Sequence, residues 1–143
     1  MNQEGQFTKI GKSEERMYGQ RGLLVCGYPE EERDKFCKMI ETIGFKDILI
    51  IFACNHDLGE KVGDILGYAD KTGFVGDSVM PRAVIMSGLT QNELHHLMES
   101  YRGAGFAPQI WATVTPVSEN WPLESLLNEL QAEHKAMKNK RKS

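Results

Sequence analysis

Only three cysteines occur in the 143 residues, and none belongs to the close pairs that zinc ribbons and redox motifs require. Cys26, Cys37 and Cys54 each lie inside an apolar stretch, so they are expected to be reduced core thiols without a disulfide or metal. Long hydrophobic runs are missing too. Nothing approaches the roughly 18 apolar residues of a membrane helix, which removes the membrane from the expected partners. The opening segment, MNQEGQFTKIGKSEERMYGQ, has no apolar signal core, and the cytoplasm is the expected location. Neither GxGxxG nor GxxxxGK[ST] occurs, so no cofactor is expected. Positive charge is scarce outside one place. Lys135, Lys138, Lys140, Arg141 and Lys142 leave 12 basic against 20 acidic residues in the rest, a net of −8. An acidic body repels phosphate backbones, so nucleic acid is a disfavoured partner.

What remains is an ordinary globular composition, 41% hydrophobic and 26% charged, on a chain long enough for one domain with a real core. Its most informative feature is self-similarity at an offset of 61 residues. Arg21 falls on Arg82, Leu23–Cys26 on Val84–Ser87, Gly27 on Gly88 and Glu32 on Glu93. Gly44 falls on Gly105, Phe45 on Phe106, Leu49 on Ile110 and Val62 on Leu123. Two glycine pairs at the same separation, with one apolar pattern between them, point to a duplication.

Each copy reads as strand, helix, strand, helix. Leu23–Cys26 and Val84–Met86 are short apolar runs ended by glycine, as in strands covered on both faces. Phe36, Met39, Ile40 and Ile43, and likewise Leu94, Leu97, Met98 and Tyr101, follow the spacing of one helix face. Pro29 with Glu30–Glu32 suits a first helical turn, Thr90 with Glu93 predicts a capping box, and Gly44 and Gly105 predict left-handed closures. Ile48–Ala53 and Ile110–Val114 supply second strands, the latter alternating as an edge strand does. Asp57 with Glu60 predicts a capped short helix through Leu66, and Pro122 opens a longer one on Leu123, Leu126, Leu127 and Leu130.

The expected fold class is therefore α/β: two tandem βαβα repeats forming one four-stranded, mostly parallel sheet flanked by helices, with the first and third strands central. A ferredoxin-like α+β sheet, with those two strands antiparallel and one face left for the extra helices or a second subunit, is the alternative. The expected organisation is a flexible segment 1–20, a single domain 21–134 and a basic tail 135–143. Within the domain, repeat one spans 21–66, a glycine-rich loop 67–81, and repeat two 82–134.

The stretch from Ala83 onward carries an apolar run ending in Ser87-Gly88, the helix entry Leu89–Glu93, Gly105, Thr115-Pro116, Asn120-Trp121 and the leucines leading to Glu129-Leu130. It resembles the family described as domain of unknown function 3783. The resemblance implies the fold unit and an intracellular setting, and carries over no catalytic residue.

His95 and His96 cannot converge on a metal, because ligands on one helix need a spacing of three or four. Cys54 and His56 end the second strand, where a thiolate and a base could meet, yet two residues that close on an extended chain need a bend and a third group. Gly27 and Gly88 suit strand-to-helix turns. Trp121, before Pro122, is expected to be a buried packing anchor. The basic tail reads as a solvated helix end. With no convergent acid and base, the chain is expected to be a non-catalytic interaction or regulatory module, its partners open and self-association among them. The rival is a small-molecule binder or enzyme, with a crevice at the carboxyl ends of the strands where Tyr28, Asn55, His56, Thr90, Thr115 and Asn120 would gather.

Overall fold

Short strands apolar on both faces must be covered twice, and the helices that follow each strand provide the cover. A computed structural model describes residues 15–45, 47–68 and 80–142, the last five as backbone only. The expectations for residues 1–14, for 69–79 of the joining loop and for the side chains of the tail's end lie outside the described residues. In chain order the elements are β1 (Gly22–Cys26), α1 (Glu30–Ile43), β2 (Leu49–Phe52), a 3-10 turn (Asn55–Gly59) and α2 (Val62–Ile65). Then come β3 (Ala83–Ser87), α3 (Gln91–Gly103), β4 (Ile110–Thr113), a second 3-10 turn (Ser118–Asn120) and α4 (Leu123–Lys142).

The strands form one mixed sheet in the order β2-β1-β3-β4. β1 pairs with β2 and β3 with β4 in parallel, while the central pair is antiparallel, from Gly22 opposite Ser87 to Cys26 opposite Ala83. Alternation along the strands divides the core. Leu23, Val25, Ile50, Phe52, Val84 and Met86 face α1 and α3, which bring Phe36, Ile40, Leu97 and Tyr101. Leu24, Cys26, Ile51, Ala53, Ala83 and Ile85 face α2 and α4, which bring Val62, Ile65, Leu123, Leu126 and Leu127. The α/β class, the central pair and the helices on both faces stand as expected. The antiparallel centre is the feature that the ferredoxin-like alternative carried.

The offset of 61 recurs in the coordinates. β1 and β3, β2 and β4, and the starts of α1 and α3 and of α2 and α4 all lie 61 residues apart. Contacts between the halves come in exchanged pairs as well. The Val62 amide donates to the Trp121 carbonyl at 3.0 Å, and the Leu123 amide to the Glu60 carbonyl at 2.9 Å.

Two local readings differ from the structure. The helix expected from Asp57 is instead a 3-10 turn followed by the single turn of α2, because the Asp57 carboxylate reaches back to the Cys54 amide at 2.8 Å and closes the turn. Trp121, expected to be buried, is half-buried and packs on the α2–α4 side of the core. Residues 16–18, within the segment expected to be flexible, pair with the turn before α3. The Met17 amide donates to the Leu89 carbonyl at 2.7 Å and the Gly88 amide to the Tyr18 carbonyl at 3.1 Å.

Candidate functional site

Because the sheet's centre is antiparallel, β1 and β2 end at one edge of the domain and β3 and β4 at the other. The six residues expected to share a crevice are thereby parted. Tyr28, Asn55 and His56 follow β1 and β2, whereas Thr90, Thr115 and Asn120 follow β3 and β4.

Half of the six serve the backbone. Thr90 caps α3: its Oγ1 accepts from the Glu93 amide at 3.1 Å, while the Glu93 carboxylate accepts from the Thr90 amide at 2.9 Å. The Thr115 hydroxyl accepts from the Ser118 amide at 3.0 Å, and the Ser118 hydroxyl from the Thr115 amide at 2.9 Å, which shapes the second 3-10 turn. Asn120 Nδ2 donates to the Pro116 carbonyl at 3.2 Å. Asn55 and His56 are exposed at the start of the first 3-10 turn.

Tyr28 is buried at the end of β1, edge-on to Phe36 with ring centres 5.3 Å apart. The Arg82 guanidinium lies over its ring at 4.1 Å, and its hydroxyl donates to Gln109. Burial, reinforced by Tyr101, pushes its pKa well above that of an ordinary phenol. It stays neutral and is no base at physiological pH.

Arg21 and Arg82 are counterparts at the offset of 61, as are Glu32 and Glu93. The partners cross between the halves. Arg82 binds Glu32 through both terminal nitrogens, at 3.2 and 2.6 Å, and Arg21 binds Glu93 through both of its own. Such bidentate pairs, partly shielded from water, fix orientation as well as charge. Arg82 Nε also donates to the Tyr101 hydroxyl at 3.1 Å. Burial pulls the Arg82 pKa down, but Glu32 and Tyr101 raise it further. The bond from Arg21 holds Glu93 below the usual carboxylate range, against the opposing effect of burial.

A depressed folded pKa adds stability above the unfolded value and loses it as pH falls through the folded one. Wild type should therefore lose more stability than Glu93→Gln as pH drops from about 5 to about 3, since glutamine keeps an acceptor for the cap but carries no charge. Urea midpoints of both proteins across that range check this. Parallel curves would remove the Arg21–Glu93 pair from the stability of the fold.

The first 3-10 turn gathers Cys54, His56 and Asp57, with one donor atom of each within 4.8 Å of the others. The bend required to bring Cys54 to His56 is this turn, and the third group is Asp57, whose spacing to Glu60 suits a helix cap. Cys26 is a different case, because burial, with Asp57 nearby, pushes its thiol up to about 12. No disulfide joins the three cysteines.

On the outer face of the α1–α3 layer, a groove of about 450 Å³ runs between the two helices. Met39, Ile43 and Ala104 supply its apolar lining, and Lys35, Lys38, Thr42, His96 and Ser100 supply the polar groups. No carboxylate is among the described residues that line it. The exposed His96 ring stands edge-on to Phe45, with centres 6.3 Å apart. Lys35 and Lys38 carry no signal in the sequence, and His96 stands out there only beside His95 as a metal candidate, because one groove built by two helices has no contiguous motif.

Residues 82–137 match the family model described as domain of unknown function (DUF3783). The match covers β3, α3, β4 and most of α4, the second half of the chain. No curated protein and no solved structure matches the chain. Among the described residues, no helix is long and apolar enough to cross a membrane.

Proposed function

We propose that the chain is a non-catalytic interaction module of the cytoplasm, which receives an acidic segment of a partner protein in the groove between α1 and α3. The observation that carries this reading is the groove's charge: Lys35 and Lys38 flank an apolar lining without a carboxylate, on a chain whose net charge is −3. Charge of one sign concentrated against the prevailing sign steers an oppositely charged partner. The small-molecule alternative loses support from the separation of Tyr28, Asn55 and His56 from Thr90, Thr115 and Asn120. We also infer an origin by internal duplication and one domain that includes both halves. The exchanged contacts Arg21–Glu93 and Arg82–Glu32 support it.

A photo-reactive amino acid at Thr42, in the groove, and another at Asn128, on the opposite helix layer, test the surface. Irradiation in cells is expected to give a discrete adduct at Thr42, mapped to a peptide rich in Asp and Glu, and none at Asn128. The double variant Lys35→Glu, Lys38→Glu should abolish it. An adduct that survives charge reversal would refute the acidic partner, and one containing only peptides of the chain itself would replace it with a second copy.

A further inference from the structure

The turn after β2 collects three donors of mixed chemistry, and its geometry is independent of the helix groove. Cys54 is the last extended residue before the turn, and the Asp57 amide donates to its carbonyl at 2.9 Å. The same turn swings His56 back, so that Nε2 lies 3.5 Å from Asp57 Oδ1. One donor from each of Cys54, His56 and Asp57 then falls within 4.8 Å of the other two. Tetrahedral ligands of a metal stand about 3–4 Å from one another, given bonds of roughly 2.0–2.3 Å.

Asp57 provides a second observation. Its side chain is only 3% exposed, yet its carboxylate has no Lys or Arg ion pair among the described residues. Oδ2 accepts the Cys54 amide at 2.8 Å, which anchors the carboxylate. Oδ1 is held less tightly, since its contacts with Tyr68 Oη and His56 Nε2 are long, at 3.4 and 3.5 Å. A buried carboxylate with one oxygen fixed by the backbone and the other loosely engaged by a tyrosine and a histidine, with a thiol in the same cluster, is poised for a cation. The side chain of His56 is 77% exposed, so the cluster opens to solvent on that side.

We propose that Cys54 Sγ, His56 Nε2 and Asp57 Oδ1 bind one divalent transition-metal ion of the zinc class. Magnesium and calcium do not fit, because hard cations prefer sets made of oxygen alone, whereas thiolate with imidazole and carboxylate suits zinc or cobalt. As the metal–sulfur bond forms, the Cys54 thiol gives its proton to solvent, and binding therefore weakens at low pH. Three protein ligands leave a fourth position for water or a ligand from a partner, and the Tyr68 hydroxyl donates to the same Asp57 oxygen at 3.4 Å. This departs from the metal-free reading that residue spacing alone suggests.

The test is a titration of the full chain, purified under chelation and reduction, with cobalt(II) and then zinc(II). One equivalent of cobalt is expected to produce a near-ultraviolet thiolate-to-cobalt band and visible bands of tetrahedral intensity, both removed by one equivalent of zinc. Cys54→Ser should abolish the charge-transfer band. His56→Ala, a change at an exposed side chain that leaves the core intact, should weaken binding at least about tenfold, as loss of support at metal sites does. His95→Ala should change nothing. Absence of a stoichiometric cobalt band in wild type, or binding indifferent to His56→Ala, would overturn the site.

Discussion

Replacing Gly88 with alanine is expected to destabilise the fold by about 2–5 kcal/mol, with ~1–2 from the left-handed backbone and ~1–3 from overpacking. Gly88 turns the chain from β3 toward α3 with φ of +68°, and a Cβ there would lie 2.6 Å from the Gly19 carbonyl oxygen and 2.8 Å from Arg21 Cα. Both obstacles are backbone. Relief would require residues 16–21 to leave the turn, which would cost the amide bonds of Met17 and Gly88 as well. Gly105 is the matched control: its φ of +80° is just as unfavourable, but nothing lies within 4 Å of its Cβ position. Gly105→Ala should cost only ~1–2 kcal/mol. Urea unfolding at equal m-values compares them, and equal losses would mean that the segment before β1 does not pack on Gly88.

A loss of similar size is expected from Phe36→Ala, about 3–5 kcal/mol, the usual range for deleting a buried aromatic ring. Phe36 is fully buried on α1, where it contacts Tyr28 edge-on and stands 6.3 Å from Phe106. Those rings form the platform under Arg82, so the cavity would also loosen the support of the Arg82–Glu32 pair. Phe36→Leu should cost clearly less because it refills most of the volume. Calorimetry of the three proteins separates the cases. If leucine and alanine destabilise alike, ring geometry and not volume governs this site.

Much of the scaffold could be read from residues because its signals are local. The stripes of α1 and α3, the Thr90–Glu93 cap, and the left-handed glycines at 44 and 105 each involve neighbours within one or two turns of helix. Strand direction is not local. A strand buried on both faces, such as Leu23–Cys26, presents the same apolar run whether its neighbour runs parallel or antiparallel. That single ambiguity decided the candidate site, since a parallel centre would have placed all six polar candidates at one edge. The crossed pairs Arg21–Glu93 and Arg82–Glu32 were hidden for a related reason, as each partner lies 72 or 50 residues away in the chain. Asp57 shows a third limit. Its spacing to Glu60 suits a helix cap, but its carboxylate turns backward to Cys54 and makes a 3-10 turn instead.

The separation of the strand ends can be tested directly through the protons of the central pair. In an antiparallel ladder, opposed residues of the pairs without direct hydrogen bonds bring their α-carbons to about 4.5 Å. Their α-protons then give strong cross-strand Overhauser effects. Nuclear magnetic resonance of labelled protein should show such effects for alternate pairs between Gly22–Cys26 and Ala83–Ser87, in the register that sets Leu24 opposite Ile85. A parallel centre would lack these α-proton contacts and show staggered amide-to-α contacts instead, and that result would return Tyr28, Asn55, His56, Thr90, Thr115 and Asn120 to a common crevice and contradict the separation that counts against the small-molecule alternative.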